Sequence, residues 1–305
     1  MREQVVASPA KINLHLQVLG KRPDGYHEIE TIFLRIPLED EMRIFIEGKG
    51  ITLISSHPCF PLDSSNTVVR AYQLLSERVG GLPGIRVELE KRIPVGGGLG
   101  GGSSNAAAFL VAVNELLGLA LSREDLLELG KRVGADVPFF ILGAYAAVGK
   151  GIGDALEPLE SAVKGYLLLV FPPLSVSTSW AYSSLSFPLT PPCTDINILA
   201  LLLRKGDLTG LALRVFNHLE GPVFDRYSLL ARIKGGLLGK GALLALMSGS
   251  GATLFGLFNE EGKAREAARW ASGKGWGVCL VPLGCLLYTS PSPRDLSTSR
   301  MPSSA

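Results

Sequence analysis

Between Pro94 and Ala108 the chain reads PVGGGLGGGSSNAAA, six glycines in fifteen residues. Glycine gives up more backbone entropy on folding than any other residue, so this density inside a patterned chain marks a backbone shape that side chains would obstruct. The flanks argue against a flexible linker. GIRVELEKRI ahead of the run alternates apolar and charged residues, and AAAFLVAVNELLGL behind it carries apolar residues at helical spacing. The order strand, glycine loop, helix aims several backbone N–H groups and the positive end of a helix at one point, an arrangement suited to phosphate. Ser103 and Ser104 add hydroxyl donors at the first turn, where either is positioned in sequence to cap the helix.

Two well-known phosphate loops do not fit these residues. A P-loop ends in Gly-Lys-Ser/Thr, and no lysine follows the glycines. Gly96, Gly98 and Gly101 satisfy G-x-G-x-x-G, but a run this rich in glycine satisfies many spacings. The helix then leads into LSREDLLELGKRVGADVPFF rather than a second strand ending in an acidic residue, which argues against a dinucleotide fold.

A length of 305 residues with 47% hydrophobic composition supports a large core and two domains more readily than one. The net charge of +2 is spread along the chain, and no basic tract suits nucleic acid or anionic lipid. The opening MREQVVASPAKINLHLQVLG alternates like a strand and lacks the apolar centre of a signal peptide, and no apolar run approaches membrane length. Cys59, Cys193, Cys279 and Cys285 are scattered, as are His15, His27, His57 and His218, so neither a disulfide framework nor a zinc site is expected. A reducing cytoplasm is the simplest setting, with no membrane and no nucleic acid among the partners.

From Cys285 the character changes to CLLYTSPSPRDLSTSRMPSSA. This Ser/Pro-rich stretch resembles a translated sequencing-library adapter more than a natural tail. Residues 285–305 are therefore expected to be non-native, with Cys285, Arg294, Asp295 and Arg300 carrying no function, and they are set apart from fold reasoning.

Along the chain, strands are expected at 4–20, 26–36, 40–48 and 50–56, then a helix after Asn66, a plausible N-cap, and a second helix following the glycine loop. A third opens at Ser122, where Asp125 completes an approximate capping box. AYAAVGKGIGDALEPL returns as strand and loop, and GYLLLVFPPLSVST opens a second half. TDINILALLLRKGDLTGLALRVFNHLE reads as two helices broken near Gly206, and ALLALMSGSGATLFGLF joins a strand-like run to glycine and a strand leaving it. Strands grouped ahead of helices give an α+β class.

Three stretches, taken in order, resemble the GHMP kinase family: SPAKINLHLQVLGKRPDGYHEIET, PVGGGLGGGSSNAAA and SGSGATLFGLF. GADVPFF and NHLE belong to the same likeness, which runs from about Ala7 to about Gly284. The resemblance implies a two-domain fold: residues 1–160 as an ATP-binding N-terminal domain like domain 2 of ribosomal protein S5, and 161–284 as a ferredoxin-like C-terminal domain, with the active site between them. Within the family, GYHEIET and the doubled glycine triplet look most like the branch that phosphorylates a cytidyl diphosphate methylerythritol in non-mevalonate isoprenoid precursor synthesis. Kinases of homoserine, mevalonate or a sugar are the alternatives within the family, and a nucleotide-binding protein without catalysis is the alternative outside enzymes.

The resemblance also implies roles. The loop Pro94, Val95, Gly96, Gly97, Gly98, Leu99, Gly100, Gly101, Gly102, Ser103 and Ser104 would wrap the phosphates of ATP. Asn66 matches a position of the adenine pocket, although its reading as a helix cap alone stands beside that. From spacing alone Lys11 is an exposed strand lysine and Asp136 a turn cap before Pro138; the resemblance instead pairs them as catalytic residues, Asp136 as base and Lys11 as its electrostatic partner. Tyr26 would stack on the cytosine, His27 would hydrogen-bond its edge, and Asn13 and Thr178 would contact the substrate. Mg²⁺ is implied with the nucleotide, no protein ligand is assigned to it, and no oligomeric state is assigned to the chain.

Overall fold

The computed structural model describes residues 2–57, 60–187 and 194–284. Cys59, Cys193 and the adapter-like stretch 285–305 lie outside the described residues.

The chain opens with two long antiparallel strands, β1 (Glu3–Lys21) and β2 (His27–Ile46), paired from Glu3 opposite Phe45 to Lys21 opposite His27. The sequence pattern predicts two strands across 26–48, yet the structure has one. Pro37 lacks an N–H, and the ladder absorbs it by slipping register between Pro9, opposite Glu39, and Ala10, opposite Ile36. The interruption is thus a bulge and not a turn.

Then follow β3 (Ile51–Ser55), α1 (Thr67–Val79), β4 (Ile85–Glu90), α2 (Gly101–Leu117), α3 (Arg123–Val133), the short α4 (Val137–Leu142), β5 (Ala146–Lys150) and β6 (Ala155–Leu159). The sheet runs β3-β4-β2-β5-β6, with β1 on β2. One half of β2 pairs with β4 and the other with β5, which leaves the outer edge of β1 free to meet the glycine loop. Asn66 caps α1 by accepting from the Val68 N–H at 2.8 Å, and Ser122 with Asp125 forms a full capping box on α3.

The second half contributes β7 (Gly165–Phe171), α5 (Thr178–Ser183), α6 (Ile196–Lys205), α7 (Leu208–Ala212), α8 (Glu220–Arg226), α9 (Ser228–Gly239), β8 (Leu244–Met247), β9 (Leu254–Phe258), α10 (Glu261–Ser272) and β10 (Gly277–Leu283). Its sheet has the antiparallel order β10-β7-β9-β8, the arrangement a ferredoxin-like domain requires.

One core, around Phe33, Met42, Phe109 and Phe139, lies between the first sheet and its helices. A second joins Ile12 and Leu34 of the first sheet to Leu167 and Phe255 of the second and to Leu199 of α6. Each such side chain contributes about 1.5–3 kcal/mol on burial, so the two sheets are held as one packed body with the free edge of β1 along their junction.

Candidate active site

The glycine loop lies in that junction, clasped by the turn between β8 and β9. Ser248 Oγ donates to the Gly98 carbonyl at 2.9 Å, the Thr253 N–H donates to the Gly97 carbonyl at 3.3 Å, and the Lys11 N–H of β1 donates to Leu99 at 3.0 Å. Gly98 has a φ of +76°, and a Cβ there would sit 2.2 Å from the Ser248 carbonyl oxygen. No other residue type fits that crossing.

The loop ends at Gly100, a left-handed N-cap for α2 with no side-chain cap. This corrects the expectation that Ser103 or Ser104 caps the helix: both lie inside its first turns. Gly101, Gly102 and Ser103 thus form the first turn of a helix without a side-chain cap, the part of a helix whose N–H groups have no acceptor within it. Ser104 departs further from expectation. Its N–H bonds to Gly100 within the helix at 2.8 Å, and its buried side chain borders a groove beside Ala7 and Pro9 on the other side of α2.

Two cavities meet at the loop. The smaller, about 290 Å³, is lined by Pro94 through Ser103 together with Asn66 and Thr67; the larger, about 680 Å³, is lined by Lys11, Asn13, Tyr26, His27, Asp136 and Thr178 among others. Gly98, Gly100 and Ser103 belong to both walls. Asn66 is placed on the smaller cavity, but both ends of its amide already bond to protein, Oδ1 to Val68 and Nδ2 to the Pro61 carbonyl at 2.6 Å. Its side chain therefore shapes the wall by holding the Pro61 segment, while Thr67 Oγ1 ties α1 to Gly102 at 2.6 Å.

At the junction Lys11 Nζ stands 3.1 Å from Asp136 Oδ2. Lys11 is not the exposed strand lysine that spacing alone suggests: it is 3% exposed. A lone ammonium there would be expensive, and Asp136 together with Asn13 Oδ1, 2.7 Å from Nζ, offsets that cost. Asn13 is in turn fixed by Nδ2 donating to Thr31 Oγ1 at 2.9 Å, and Thr31 donates to the His15 carbonyl at 2.6 Å. Asp136 precedes α4 but makes no side-chain capping bond, so its carboxylate is directed to Lys11 and to the cleft. The arrangement offers an ionised acid, a fixed cation and a row of amide donors around one point.

The far wall of the larger cavity is aromatic. His27 lies 5.2 Å from Tyr182 and stacks at 5.9 Å on Phe187, with Tyr26, 60% exposed, at the rim. Burial and the neighbouring charge of Lys21 lower the His27 imidazole below its ordinary value, which favours the neutral ring able to both donate and accept. Burial, and secondarily the charge on Asp136, pushes the Tyr182 phenol up and keeps it protonated. Thr178 Oγ1 lies 2.8 Å from Ser250 Oγ, joining α5 to the β8–β9 turn. Sequence alone does not assign Tyr182, Phe187, Lys21 or Ser248 to the site, although Lys21 and Ser248 fall inside the quoted motif stretches. Tyr182 in α5 and Phe187 beyond it carried no signal, because an isolated aromatic residue looks the same whether it meets core or ligand.

Among the described residues no group of three or more His, Cys, Asp or Glu could hold a metal ion. Oxygen donors lining the larger cavity include the Asp136 carboxylate and the hydroxyls of Ser103, Thr178 and Ser250.

Residues 66–144 match the profile of the GHMP kinases N terminal domain, and residues 198–280 that of the GHMP kinases C terminal. A curated 4-diphosphocytidyl-2-C-methyl-D-erythritol kinase of Geobacter sp. (strain M21) is 42% identical over 283 residues, covering 92% of this chain and 99% of the relative. The enzyme of the same name from Syntrophotalea carbinolica is 42% identical over 276 residues, 90% of this chain and 96% of that one. A crystal structure of 4-(cytidine 5'-diphospho)-2C-methyl-D-erythritol kinase superposes with a TM-score of 0.77 at 34% identity, covering 92% of this chain and 98% of its own. Homoserine kinase from Cytophaga hutchinsonii, at 22% identity and a TM-score of 0.68, shares the fold.

Proposed function

The chain belongs to the GHMP kinase family, and we propose that it is the small-molecule kinase that transfers the γ-phosphoryl group of ATP to the 2-hydroxyl of 4-diphosphocytidyl-2-C-methyl-D-erythritol, in non-mevalonate isoprenoid precursor synthesis. The observation that carries it is the Lys11–Asp136 pair, 3.1 Å apart, on the larger of two cavities that share Gly98, Gly100 and Ser103.

In this reading the smaller cavity takes the adenosine end, and the loop amides with the start of α2 hold the phosphates. The larger cavity takes the acceptor, its cytosine against Tyr26 and His27 and its methylerythritol towards Asn13 and Thr178. Asp136 accepts the proton of the 2-hydroxyl as that oxygen bonds to phosphorus and the bridging oxygen–phosphorus bond breaks, releasing ADP. Lys11 stabilises the charge shared between carboxylate and phosphoryl oxygens without moving, because Asn13 already fixes it. Mg²⁺ suits donors such as the Asp136 carboxylate and the Ser103 hydroxyl, which would hold it, and it would supply charge neutralisation on the phosphates.

Residues 1–160 and 161–284 are taken as the nucleotide-binding and C-terminal domains, and the setting as cytoplasmic. Among the described residues no helix is long and apolar enough to cross a membrane. The aromatic wall around His27 favours a flat heterocycle over the small aliphatic acceptors homoserine and mevalonate. The test is turnover with ATP and Mg²⁺ on the cytidyl acceptor beside homoserine and mevalonate; comparable kcat/KM on either aliphatic alcohol, with none on the cytidyl acceptor, overturns the assignment.

A further inference from the structure

Both ends of the glycine loop converge on a carboxylate that the transfer chemistry does not use. Asp40 of β2 is 1% exposed. Its Oδ1 accepts from the N–H groups of Arg92 at 2.7 Å and Ile93 at 2.8 Å, the two residues immediately ahead of Pro94. Its Oδ2 accepts from Asn105 Nδ2 at 3.0 Å, on the residue immediately after Ser104, and from the Lys91 ammonium. Lys91 Nζ also donates to Asn105 Oδ1 at 3.2 Å.

A carboxylate and an ammonium this deeply buried are tolerable only when nearly every lone pair and proton is matched, as here. The geometry of the loop exit depends on the same point. A Cβ on Gly101 would lie 3.0 Å from Ile93 Cγ2 and 3.3 Å from Lys91 Nζ, so the first turn of α2 rests directly on the residues that lead into the loop. Between these anchors the backbone is mostly glycine, whose many accessible conformations would otherwise have to be ordered by the nucleotide itself.

We propose that Asp40 is a positioning residue for nucleotide binding, tying the entry and exit of the loop to one buried point so that its amides are aligned before ATP arrives. This rests on the loop being the nucleotide cradle. Asp40 lines neither cavity, whereas its partner Lys91 lines the smaller one, so its loss acts through Lys91 and the loop and spares the aromatic end of the larger cavity.

Two variants test this. Asp40→Asn keeps the shape but turns an acceptor oxygen into a donor and leaves Lys91 without its counter-charge; Asn105→Ala removes only the tie at the loop exit. Each is titrated calorimetrically with ADP and, separately, with CDP, after circular dichroism has verified folding. The expected result is a Kd for ADP raised about tenfold or more in both variants, with the Kd for CDP within about twofold and kcat at saturating ATP within about threefold. Should Asp40→Asn not fold, Asn105→Ala carries the same comparison. A wild-type protein that does not bind ADP overturns the cradle reading itself. Normal ADP binding by the wild type with unchanged binding by the folded variants, or ADP and CDP weakened in proportion, overturns the positioning role alone.

Discussion

Gly98 lies where the loop passes beneath the Ser248–Gly251 turn, and the structure allows the cost of an alanine there to be worked out. The added Cβ would stand 2.2 Å from the Ser248 carbonyl oxygen and 3.0 Å from that of Gly251, where ordinary contact begins near 3.4 Å. Both obstacles are backbone, so relief requires the loop and the turn to separate by about 1 Å. Displacement on that scale at a phosphoryl-transfer site costs about 10²-fold in rate, roughly 2.7 kcal/mol of barrier. The left-handed backbone of Gly98 adds about 1–2 kcal/mol for any L-residue. Gly80 separates the two effects: it has the same φ of +76°, ends α1, and has nothing within 4 Å of its would-be Cβ. Gly80→Ala is expected to lose about 1 kcal/mol of unfolding free energy with kcat/KM unchanged, whereas Gly98→Ala loses about 10²-fold in kcat/KM as well. Steady-state kinetics and urea denaturation on both proteins make the measurement. If Gly98→Ala stays within about threefold of Gly80→Ala in kcat/KM, contact between loop and turn does not set the catalytic geometry.

Three further outcomes are expected. Asp136→Asn should lower kcat by about 10²–10⁴, roughly 3–5 kcal/mol, with nucleotide affinity little changed; near-normal turnover removes Asp136 from the chemistry. His27→Ala should raise KM for the cytidyl acceptor more than KM for ATP, because the ring lines the larger cavity and not the smaller, and the reverse ranking counts against that placement. Burial, and then the charge of His218, lowers the His15 imidazole to about 3, and its Nδ1 accepts the Phe216 N–H at 3.4 Å. The folded state therefore disfavours a proton that the unfolded chain takes up near pH 6.5, so this contribution is complete above that pH and is lost on acidification towards 3. Between pH 8 and pH 5 the loss from this residue is about 2 kcal/mol. Urea denaturation of His15→Phe at both values should show a pH dependence smaller by that amount, and an unchanged dependence refutes the assignment.

Local signals were legible wherever neighbours in sequence carry the physics. The Asn66 cap, the Ser122 capping box, the helix break at Gly206 and the strand-loop-helix order at Pro94–Ala108 each depend on hydrogen bonds spanning a few residues or on the φ of one glycine. Two expectations failed, one to a distant strand partner and one to an earlier helix start. Residues 26–48 form one strand because β1 supplies a continuous ladder through which Pro37 passes as a bulge. Ser104 borders a different groove from the loop's cavity because the left-handed Gly100 starts the helix early enough to carry that side chain onto another face.

By itself, then, the sequence indicated the order of most elements, a strand-loop-helix unit that demands glycine, and through motif likeness Lys11 and Asp136 as a candidate pair. Their contact at 3.1 Å and the convergence of both loop ends on Asp40 were decided by tertiary packing within the first half, and the clasp of Ser248 on Gly98 and the rings of Tyr182 and Phe187 beside His27 by the packing of the second half against it. The physical reason is that periodicity and propensity record how each residue meets its chain neighbours and which face is apolar. The pairing of polar groups across the junction depends on where two separately patterned halves come to rest, and the large apolar core they share sets that position without regard to those groups.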